Sequence, residues 1–560
     1  MKASDWVAMT LKSQTDHVFG ITGGAVINLL DSIHKHGPKL INLHHEQACA
    51  MAADAYARLK GFGCCIGTSG PGATNLITGT CCSWFDSVPV LTIAGQVPTD
   101  QLKQDPRLRQ LGFQETDTLS LFKGITKDSR RLVSARKFYT PVRIQDTLLE
   151  AMHTTLIDRK GPVFLEFPDD SQREDITGQC SPNYTQEFIT PIKDVHKLHD
   201  DMSALLKNSK RPVLIIGAGA KNDNIRLLLE YLHIPVFLTW GAMDFLDDSH
   251  PLNMRDFGVT SQRAGNMAIR NADLVIALGT RLDSHCFVDT KGKLMVVDID
   301  EAELSRHSTK YKYKLDTNFI AAPDMPKRSF SGWISKIKRL RNTYPIVKTT
   351  QGNPYLFFNK LSKVASNNSV IITDAGQNLT WTMQTWKVKL GQRLFSAFNH
   401  SPMGYSLPAS IGAAFAEPKK DIICIIGDGG LQMNLQELNS IVGYGLPIKI
   451  FVINNNGYGM IKQTQSNWDC LKDGVACEPY LEDLERISKA FSIPYYKITK
   501  FDKGDLKFIL GRSGPVIIEV MIKDKSPIEP KLKMGDEFND LTPKLTNHEK
   551  DKIDKFLQSS

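Results

Sequence analysis

The sequence predicts an α/β fold with three doubly wound parallel-sheet domains. Short apolar runs such as Val88–Ile93, Pro212–Ile216 and Ile422–Ile426 alternate with helical patterns along almost the whole chain. Strands that are apolar on both faces are typical of parallel sheets covered by helices on each side. A length of 560 residues is also too great for one compact core, which predicts several domains.

A repeated strand favours a shared fold for the first and third domains. Gly161–Phe167 reads GPVFLEF and Gly514–Val520 reads GPVIIEV, so the same turn leads into the same strand near the ends of the first and last thirds. A chance match between common strand sequences is the alternative. In the middle third, a strand that runs into Gly217-Ala218-Gly219 favours a Rossmann-like domain, although any strand-to-helix turn benefits from glycine.

Polar, proline-containing stretches set the expected domain boundaries. We expect linkers at residues 169–190 and at about 335–352, and the mixed charges after Met521 favour a solvated C-terminal segment. The predicted units are a first domain at 1–170, a central domain at 191–335, a third domain at 351–535 and a charged tail at 536–560.

Composition and charge exclude several classes of protein. The apolar fraction of 41% and the charged fraction of 23% exclude wholesale disorder and collagen-like repeats. No apolar run reaches the roughly 18 to 20 residues of a membrane-spanning helix. The net charge of +8 is small for the length and its basic residues are scattered, so we expect no nucleic acid partner.

The cysteines and the first residues predict a cytosolic protein. Met1–Val7 runs into a helical pattern without the apolar core of a signal peptide. The ten cysteines include the adjacent pairs at 64–65 and 81–82 and no CxxC pair that would suit zinc. We therefore expect buried free thiols in a reducing compartment.

Two polar motifs follow successive apolar strands in the last third. Gly427-Asp428-Gly429-Gly430 follows one strand, and Asn454-Asn455-Asn456-Gly457 follows the next. Open α/β sheets bind ligands at the carboxyl ends of their strands. Carboxylate and amide oxygens suit Mg²⁺, and glycines let backbone N–H groups close on a diphosphate. Two unrelated turns explain either motif alone but poorly explain both, so the sequence predicts a magnesium–diphosphate site.

Further stretches occur along the chain in a recognisable order. They are Phe19–Ala25, His45–Gln47, Ser69–Asn75, Gly95–Pro98, Phe113–Glu115, Gly376–Gln377 and Met403–Pro408. With the two polar motifs, they make about residues 1–545 resemble the acetolactate synthase branch of the thiamine diphosphate enzymes. The resemblance implies a pyrimidine-binding first domain, a central domain of the FAD-binding type and a third domain that binds diphosphate and Mg²⁺.

Glu46 has two interpretations. It opens an Ala-rich helix that ends at Gly61, where a first-turn carboxylate interacts favourably with the helix dipole. The resemblance instead implies that Glu46 hydrogen-bonds N1′ of the thiamine aminopyrimidine and promotes the imino tautomer, whose nitrogen removes the C2 proton. The preceding His44 is expected to be structural, because the histidine pair of simple pyruvate decarboxylases lies on a different loop.

The resemblance implies thiamine diphosphate, Mg²⁺ and a FAD without a redox role. Beside Glu46, Gln96 would lie near the reacting centre, and Met403 would hold the cofactor bent between its rings, although a Met before Gly-Tyr is usually core filler. The implied metal ligands are Asp428, Asn455 and Gly457. The implied thiamine diphosphate contacts are Gly24, Ala25, Asn75, Gln377, Asn378, Gly404, Gly429, Gly430, Gly459 and Met460, and the implied FAD contacts are Gly279, Arg281 and Asp283.

Three departures from the branch concern the acceptor and the flavin. Thr464 stands near the place where biosynthetic acetohydroxyacid synthases carry a Trp, which predicts a wider or more polar acceptor pocket. The segment from Thr99 to Leu111 is long and contains Arg107 and Arg109, as in relatives that use keto-sugar acceptors; these arginines could bind an anion or be solvated. His285 replaces the second flavin-binding arginine.

The resemblance implies a carboligase that decarboxylates pyruvate and joins the hydroxyethyl unit to an acceptor carbonyl. With pyruvate as acceptor the product is 2-acetolactate, a reaction of branched-chain amino acid biosynthesis. The alternatives are another acceptor such as a keto-sugar, a non-oxidative 2-oxo acid decarboxylase, a pyruvate oxidase or a non-catalytic cofactor-binding protein. In this family the residues around Glu46 and the two polar motifs of the last third meet from different chains, which implies a homodimer or homotetramer with shared sites.

Overall fold

Three parallel sheets, each covered by helices, organise the chain. The computed structural model describes residues 1–133, 144–176, 192–322, 327–346, 353–468, 483–522 and 527–559. The predicted α/β fold class with three sheet domains is therefore confirmed.

The first domain contains a six-stranded sheet. Its strands are β1 His17–Gly20, β2 Lys39–Asn42, β3 Gly63–Gly67, β4 Val90–Gln96, β5 Ser129–Arg131 and β6 Val163–Pro168. Its helices are α1 Ala3–Gln14, α2 Ile27–His36, α3 Glu46–Lys60, α4 Pro71–Asn75, α5 Ile77–Asp86, α6 Thr118–Phe122, α7 Ile144–Leu156 and α8 Asp169–Gln172. The sheet order is β2-β1-β3-β4-β6-β5, and the inner strands β3 and β4 are buried along their whole length.

The central domain contains a five-stranded sheet. Its strands are β7 Pro212–Ile216, β8 Val236–Leu238, β9 Leu274–Leu278, β10 Lys293–Asp298 and β11 Tyr311–Lys314. Its helices are α9 Ile192–Asn208, α10 Asp223–Leu232, α11 Arg263–Asn271, α12 Glu301–Ser305 and α13 Ser331–Thr343. The order β11-β10-β9-β7-β8 is doubly wound and changes direction between β7 and β9, where such sheets bind their ligands.

The third domain contains a second six-stranded sheet. Its strands are β12 Ser369–Thr373, β13 Arg393–Phe395, β14 Asp421–Gly427, β15 Lys449–Asn454, β16 Tyr495–Ile498 and β17 Val516–Met521. Its helices are α14 Pro354–Val364, α15 Gln377–Thr385, α16 Ser406–Ala416, α17 Asp428–Met433, α18 Glu437–Gly443, α19 Gly459–Trp468, α20 Leu484–Ala490 and α21 Lys503–Leu510, and α22 Asn547–Gln558 follows near the C-terminus.

The first and third sheets have the same strand order. The third sheet runs β13-β12-β14-β15-β17-β16, which repeats the pattern of the first sheet strand by strand. The two matching sequences form β6 and β17, and each of these strands lies between the corresponding neighbours of its sheet. The predicted shared fold of these two domains is therefore confirmed.

Helices α3 and α16 join the first domain to the third. Both helices are rich in small residues, so their backbones approach closely. A Cβ atom at Gly412 would lie 2.0 Å from the carbonyl oxygen of Ala52, a distance that no side chain tolerates. Since α3 begins at Glu46 and α16 begins three residues after Met403, this contact fixes the relative position of two predicted site residues.

Two segments differ from the sequence-based expectation. Helix α13 continues to Thr343, and its Ile337 and Leu340 are buried in the central core. The first part of the segment expected as a linker, from about residue 335 to Thr343, is therefore helical. Helix α22 also packs into the central core through Ile553 and Leu557. The expectation of a solvated tail was wrong for this helix, because two apolar residues four apart share one face of it.

The described cysteines are free thiols. They are Cys49, Cys64, Cys65, Cys81, Cys82, Cys286 and Cys424. All but Cys286 are buried, and burial raises the pKa of the Cys65 thiol to about 12. These thiols are therefore protonated and unreactive near neutral pH. None of the helices in the described part of the chain has the length and hydropathy that crossing a membrane requires.

Candidate active site

The two polar motifs of the third domain meet at one edge of the sheet. Strands β14 and β15 are parallel neighbours, with Gly427 opposite Ile453, so the residues that follow them lie side by side. Asp428 is 3% exposed. Its Oδ1 accepts a hydrogen bond from the N–H of Gly429 at 2.9 Å, and its Oδ2 accepts one from the N–H of Gly457 at 3.0 Å.

The surroundings of Asp428 suit a bound cation. Burial raises the pKa of this carboxyl, and backbone N–H groups lower it again in part. No Lys, Arg or His of the described residues forms an ion pair with Asp428. The described residues also contain no group of three or more His, Cys, Asp or Glu side chains placed to hold a metal, so a metal here would need amide, carbonyl and phosphate oxygens beside one carboxylate. That mixture is the ligand set of Mg²⁺.

Glycines allow close packing of the backbone around this edge. A Cβ at Gly429 would lie 2.3 Å from Cε1 of Tyr458. Gly404 has a φ of +85°, and a Cβ there would lie 2.6 Å from the Cβ of Met433. The backbone at these positions therefore lies where side chains do not fit, and the N–H groups of Gly429 and Gly404 donate to the carboxylates of Asp428 and Asp374.

Asp374 is a residue that the sequence analysis missed. It follows β12, is buried, and accepts hydrogen bonds from the N–H groups of Gly404 at 2.9 Å and Tyr405 at 3.0 Å. A Cβ at Gly430 would lie 2.2 Å from its Oδ2. Burial raises the pKa of Asp374 to about 7, against backbone N–H groups that lower it. Asp374 thereby holds the turn that carries Met403, which is half-buried.

The amide side chains near the edge are partly engaged. Asn455 donates from Nδ2 to Oε1 of Gln377 at 3.1 Å, and none of the described hydrogen bonds uses its Oδ1. Asn378 donates from Nδ2 to the carbonyl oxygen of Ala375 and accepts at Oδ1 from Thr373. Asn378 therefore stabilises its own turn, and its predicted contact with the diphosphate stays a prediction. Met460 is half-buried against the third-domain core.

Glu46 is the first residue of helix α3. Nδ1 of His45 caps this helix by accepting a hydrogen bond from the N–H of Gln47 at 3.1 Å. Asn75 donates from Nδ2 to Oε2 of Glu46 at 2.9 Å, and a Cβ at Gly72 would lie 3.5 Å from Oε1. Two residues predicted at the aminopyrimidine are therefore in contact, and the Glu46 carboxylate is held on one side while it stays half-buried.

Gln96 is buried at the end of β4. Its Nε2 donates to the carbonyl oxygen of Thr116 at 2.9 Å, and its Oε1 accepts from the N–H of Val97 at 3.0 Å. It thereby anchors the following loop, and its predicted place near the reacting centre stays a prediction. Gln114, which the sequence analysis quoted only as part of the Phe113–Glu115 stretch, lies in that loop, and its φ of +62° is unusual for a residue with a side chain.

Gly24 and Ala25 lie in a short turn after β1. The N–H of Ala25 donates to Oγ1 of Thr68 at 3.3 Å, and its carbonyl oxygen accepts from Nε2 of Gln172 at 2.7 Å. A Cβ at Gly95 would lie 2.2 Å from this carbonyl oxygen, so a side chain there would displace the turn.

The residues predicted around the pyrimidine lie on elements of the first domain, and those predicted around the diphosphate lie on elements of the third. None of the described hydrogen bonds or ion pairs links Glu46 to Asp428, Asn455 or Gly457. The first domain contacts the third next to Glu46, where the N–H of His44 donates to Oε1 of Glu437 at 3.0 Å and its Nδ1 lies 2.9 Å from Oγ of Ser440. These contacts agree with the structural role predicted for His44.

A cavity of about 470 Å³ lies where the three domains meet. The predicted flavin residues Gly279, Arg281 and Asp283 all line it, as does His285. Gly279 has a φ of +56°, and a Cβ there would lie 2.5 Å from the backbone nitrogen of Ala220. Two strand-to-helix turns of the central sheet therefore touch at the floor of the cavity, at the position where doubly wound sheets bind nucleotides.

Charged and aromatic groups line this cavity. Arg281 forms an ion pair with Asp283 at 2.9 Å. Trp240 lies against His285, with ring centroids 6.0 Å apart. Asp298, the last residue of β10, also lines the cavity, and an acidic residue about twenty positions after the glycine turn is where dinucleotide folds bind ribose hydroxyls.

Comparisons with known proteins match all three domains. The C-terminal TPP binding domain of thiamine pyrophosphate enzymes matches residues 374–520, the N-terminal TPP binding domain matches 1–121, and the central domain matches 200–317. The acetolactate synthase large subunit of Lactococcus lactis is 30% identical over 556 residues, which cover 95% of this chain and 94% of the relative. The chain belongs to the thiamine-diphosphate-dependent enzymes of the acetolactate-synthase-like family.

Other relatives cover a similar share of the chain. The acetolactate synthase large subunit of Cyanidium caldarium is 30% identical over 573 residues, covering 94% of each chain. The acetolactate synthase isozyme 1 large subunit of Escherichia coli is 28% identical over 538 residues, covering 92% of this chain and 93% of the relative. The similarity therefore extends through all three domains.

Two of the three departures from the family lie on surface elements, and the third, His285, lines the central cavity. The loop at residues 99–115 is closed around Glu115, which accepts hydrogen bonds from the N–H groups of Lys103 at 2.8 Å and Leu111 at 2.7 Å. Arg107 is paired with Asp105 at 2.5 Å, whereas the Arg109 guanidinium has no hydrogen-bond or ion-pair partner among the described residues. Thr464 is exposed on α19 and donates to the carbonyl oxygen of Met460.

Proposed function

We propose that this enzyme decarboxylates pyruvate or a related 2-oxo acid and joins the remaining two-carbon unit to an acceptor carbonyl. The observation that carries the proposal is the edge formed by Asp428, Gly429 and Gly457. It combines a buried carboxylate, without a cationic partner among the described residues, with a glycine at position 429 where a side chain would not fit. When bound there, thiamine diphosphate supplies the electron sink that allows a 2-oxo acid to lose CO₂.

The chain's own residues bind and orient the reactants. Asp428, Asn455 and the carbonyl oxygen of Gly457 would hold Mg²⁺, and the glycines would accept the diphosphate. Met403, on the turn held by Asp374, would support the cofactor from below. Glu46 would share a proton with N1′ of the aminopyrimidine. Its Oε2 accepts a hydrogen bond from Asn75, which would leave Oε1 for the ring nitrogen.

The absence of any hydrogen bond or ion pair between the two groups, among the described residues, supports a site shared between two chains. Glu46 and Asp428 lie on different domains, and the α3–α16 contact holds those domains in one arrangement within the chain. Three large apolar side chains on the loop next to the Glu46 side, Leu108, Leu111 and Phe113, are 47%, 58% and 84% exposed. Several exposed apolar side chains on one loop suit burial by a second copy, so we propose a homodimer or homotetramer. A location in the cytosol stays a prediction.

The central cavity supports FAD as a further cofactor without a redox role. All three residues that the resemblance implies, Gly279, Arg281 and Asp283, line it. Its volume of about 470 Å³ is in the range of small-molecule sites. Trp240 and His285, which both line the cavity, provide aromatic surface for a flat ring.

The acceptor is pyruvate in the simplest form of the proposal. Two residues favour a second candidate, a larger or anionic acceptor such as a keto-sugar. The Arg109 guanidinium has no partner among the described residues and could bind an anion, and Thr464 stands where the biosynthetic enzymes carry a Trp.

The products of labelled pyruvate test the proposal. The expected product with pyruvate alone is 2-acetolactate, which acid converts to acetoin. Release of free acetaldehyde would indicate a non-oxidative decarboxylase, and uptake of O₂ would indicate an oxidase. A panel of carbonyl acceptors then identifies the acceptor, with Arg109→Gln as the variant and Arg107→Gln as the matched control, because Arg107 is already paired with Asp105.

A further inference from the structure

We propose that Gln463 is a positioning residue that orients a magnesium ligand through a relay of three side-chain amides. The relay consists of Gln463, Gln377 and Asn455, and the main chain of Ile528 sets its direction. The inference rests on the proposed function in that Asn455 is taken as a ligand of Mg²⁺.

The main chain of Ile528 fixes the orientation of the Gln463 amide. Oε1 of Gln463 accepts a hydrogen bond from the N–H of Ile528 at 3.0 Å, and its Nε2 donates to the carbonyl oxygen of Ile528 at 3.3 Å. An amide oxygen and nitrogen are distinguished by their partners. Since a backbone N–H can only donate and a carbonyl oxygen can only accept, the reverse orientation would lose both bonds.

Ile528 is itself firmly held. Its side chain is 0% exposed in the third-domain core. The next residue, Glu529, exchanges two hydrogen bonds of 2.8 Å with the hydroxyl of Tyr355 through its N–H and its carbonyl oxygen. The carbonyl oxygen of Pro530 accepts from Nε2 of Gln384 at 3.0 Å. The reference point of the relay is therefore part of the packed core.

The orientation of the Gln463 amide sets that of the Asn455 amide through hydrogen bonds to Gln377. Nε2 of Gln377 donates to Oε1 of Gln463 at 3.4 Å, which leaves Oε1 of Gln377 to accept from Nδ2 of Asn455 at 3.1 Å. With its nitrogen used in this way, Asn455 presents Oδ1 as the remaining polar atom. An amide oxygen is a ligand for Mg²⁺ and an amide nitrogen is not, so the relay selects the orientation that can bind the metal.

Gly459 leaves the relay the space that it needs. A Cβ at this position would lie 1.9 Å from Oε1 of Gln377 and 2.6 Å from Nδ2 of Asn455. Any side chain there would separate the two amides. Gly459, which the resemblance implies as a cofactor contact, is therefore also required for the hydrogen bond between Gln377 and Asn455.

The test measures Mg²⁺ affinity in the full-length protein, by Mn²⁺ electron paramagnetic resonance and by Mg²⁺ titration of thiamine diphosphate binding. Gln463→Met keeps the length of the side chain and removes the amide. Loss of groups that orient metal ligands typically costs about 10- to 100-fold in metal affinity, and we expect a loss in that range. Gln384→Met is the matched control, because it removes another glutamine bond to the same segment without touching Asn455, and it should keep the wild-type affinity.

A double variant tests whether Gln463 acts through Gln377. If it does, Gln377→Met combined with Gln463→Met should bind Mg²⁺ as weakly as Gln377→Met alone, since the second change has nothing left to orient. Additive losses, or wild-type affinity in Gln463→Met, would overturn the relay. Should Gln463→Met not fold, Gln463→Asn, one methylene too short for both partners, is measured with the same expectation.

Asp428→Ala separates failure of the relay from failure of the proposed function. If Asp428→Ala loses Mg²⁺ while Gln463→Met keeps it, the relay alone is wrong. If Asp428→Ala keeps the wild-type affinity for Mg²⁺, the metal site assigned to this edge is wrong, and the relay cannot orient a metal ligand there.

Discussion

The hydroxyl of Tyr405 donates a 2.5 Å hydrogen bond to Oδ1 of Asp54 across the contact between the first and third domains. Asp54 also pairs with Arg58 at 2.7 Å, and Arg58 pairs with Asp86 at 2.8 Å. Because Tyr405 lies two residues after Met403 and Asp54 lies two helical turns after Glu46, this buried network holds both predicted site elements in place.

Tyr405→Phe should lower stability without removing the cofactor site. The change removes one hydrogen-bond donor from the buried Asp54 carboxylate, and such a loss typically lowers the free energy of unfolding by about 1 to 3 kcal/mol. The measurement is thermal unfolding, with thiamine diphosphate binding determined alongside. The control is Tyr444→Phe, whose hydroxyl accepts from the exposed N–H of Asn42 and should cost less. Equal losses for both variants would argue against a special role of the Asp54 network.

Asp428→Ala should abolish retention of thiamine diphosphate and leave the fold intact. Without the carboxylate, the cation keeps too few fixed oxygen ligands, and the diphosphate loses its link to the protein. The cofactor content after gel filtration measures this, with far-ultraviolet circular dichroism as the check on folding. Full cofactor occupancy in the variant would falsify the metal assignment.

Glu46→Gln should bind the cofactor normally and slow exchange of its C2 proton. The amide keeps the size and most hydrogen bonds of Glu46 but cannot share a proton with N1′. Acid–base assistance is typically worth about 10²- to 10⁴-fold, so exchange in D₂O, followed by NMR after an acid quench, should slow by that factor. Exchange at the wild-type rate would leave Glu46 with only its role at the start of α3.

Two inactive variants should restore activity when they share a dimer. A Glu46→Gln chain paired with an Asp428→Ala chain forms one site with both native residues and one site with neither. Tagged mixed dimers, isolated by sequential affinity steps, should therefore regain up to about one site in two. Mixed dimers without activity would show that each site is built from a single chain.

The stability of the central domain should fall as the pH rises through about 6. Burial raises the pKa of Asp256 from 3.8 to about 6, against the lowering effect of Arg255. Between these values the folded chain keeps a proton that the unfolded chain has lost, so the contribution is present below about pH 4 and is lost above about pH 6. A shift of about two pKa units corresponds to about 3 kcal/mol. Asp256→Asn cannot titrate, so melting temperatures across this interval should depend less on pH in the variant; parallel curves would contradict the prediction.

The sequence predicted those features that depend on neighbouring residues. The apolar strand before Asp428, the glycine after it and the start of α3 at Glu46 all follow from local patterns, and the structure has each of them. The Asp374 bonds to Gly404 and Tyr405 could not be predicted, because they join residues about thirty positions apart. The one available signal was an Asp at the end of an apolar strand.

Amide and tail interactions were unpredictable for the same reason. Gln96 was expected near the reacting centre, but only the three-dimensional structure shows that both polar atoms of its side chain bind main chain. The direction of the Gln463 amide depends on Ile528, sixty-five residues later. The charge of the C-terminal segment concealed Ile553 and Leu557, whose burial depends on a partner surface in the central domain.

The docking of α22 on α11 and α13 makes the central domain discontinuous in sequence. Two of its core residues, Ile553 and Leu557, come from beyond the third domain, and Asn271 of α11 bonds to Asp554 at 2.8 Å. A fragment cut at residues 191–335 would lack this helix and expose the apolar surface that it covers. Expression of the central domain on its own would therefore require the C-terminal helix to be supplied as a separate peptide. Small C-terminal truncations should likewise destabilise the central domain, although its sheet ends more than two hundred residues earlier in the chain.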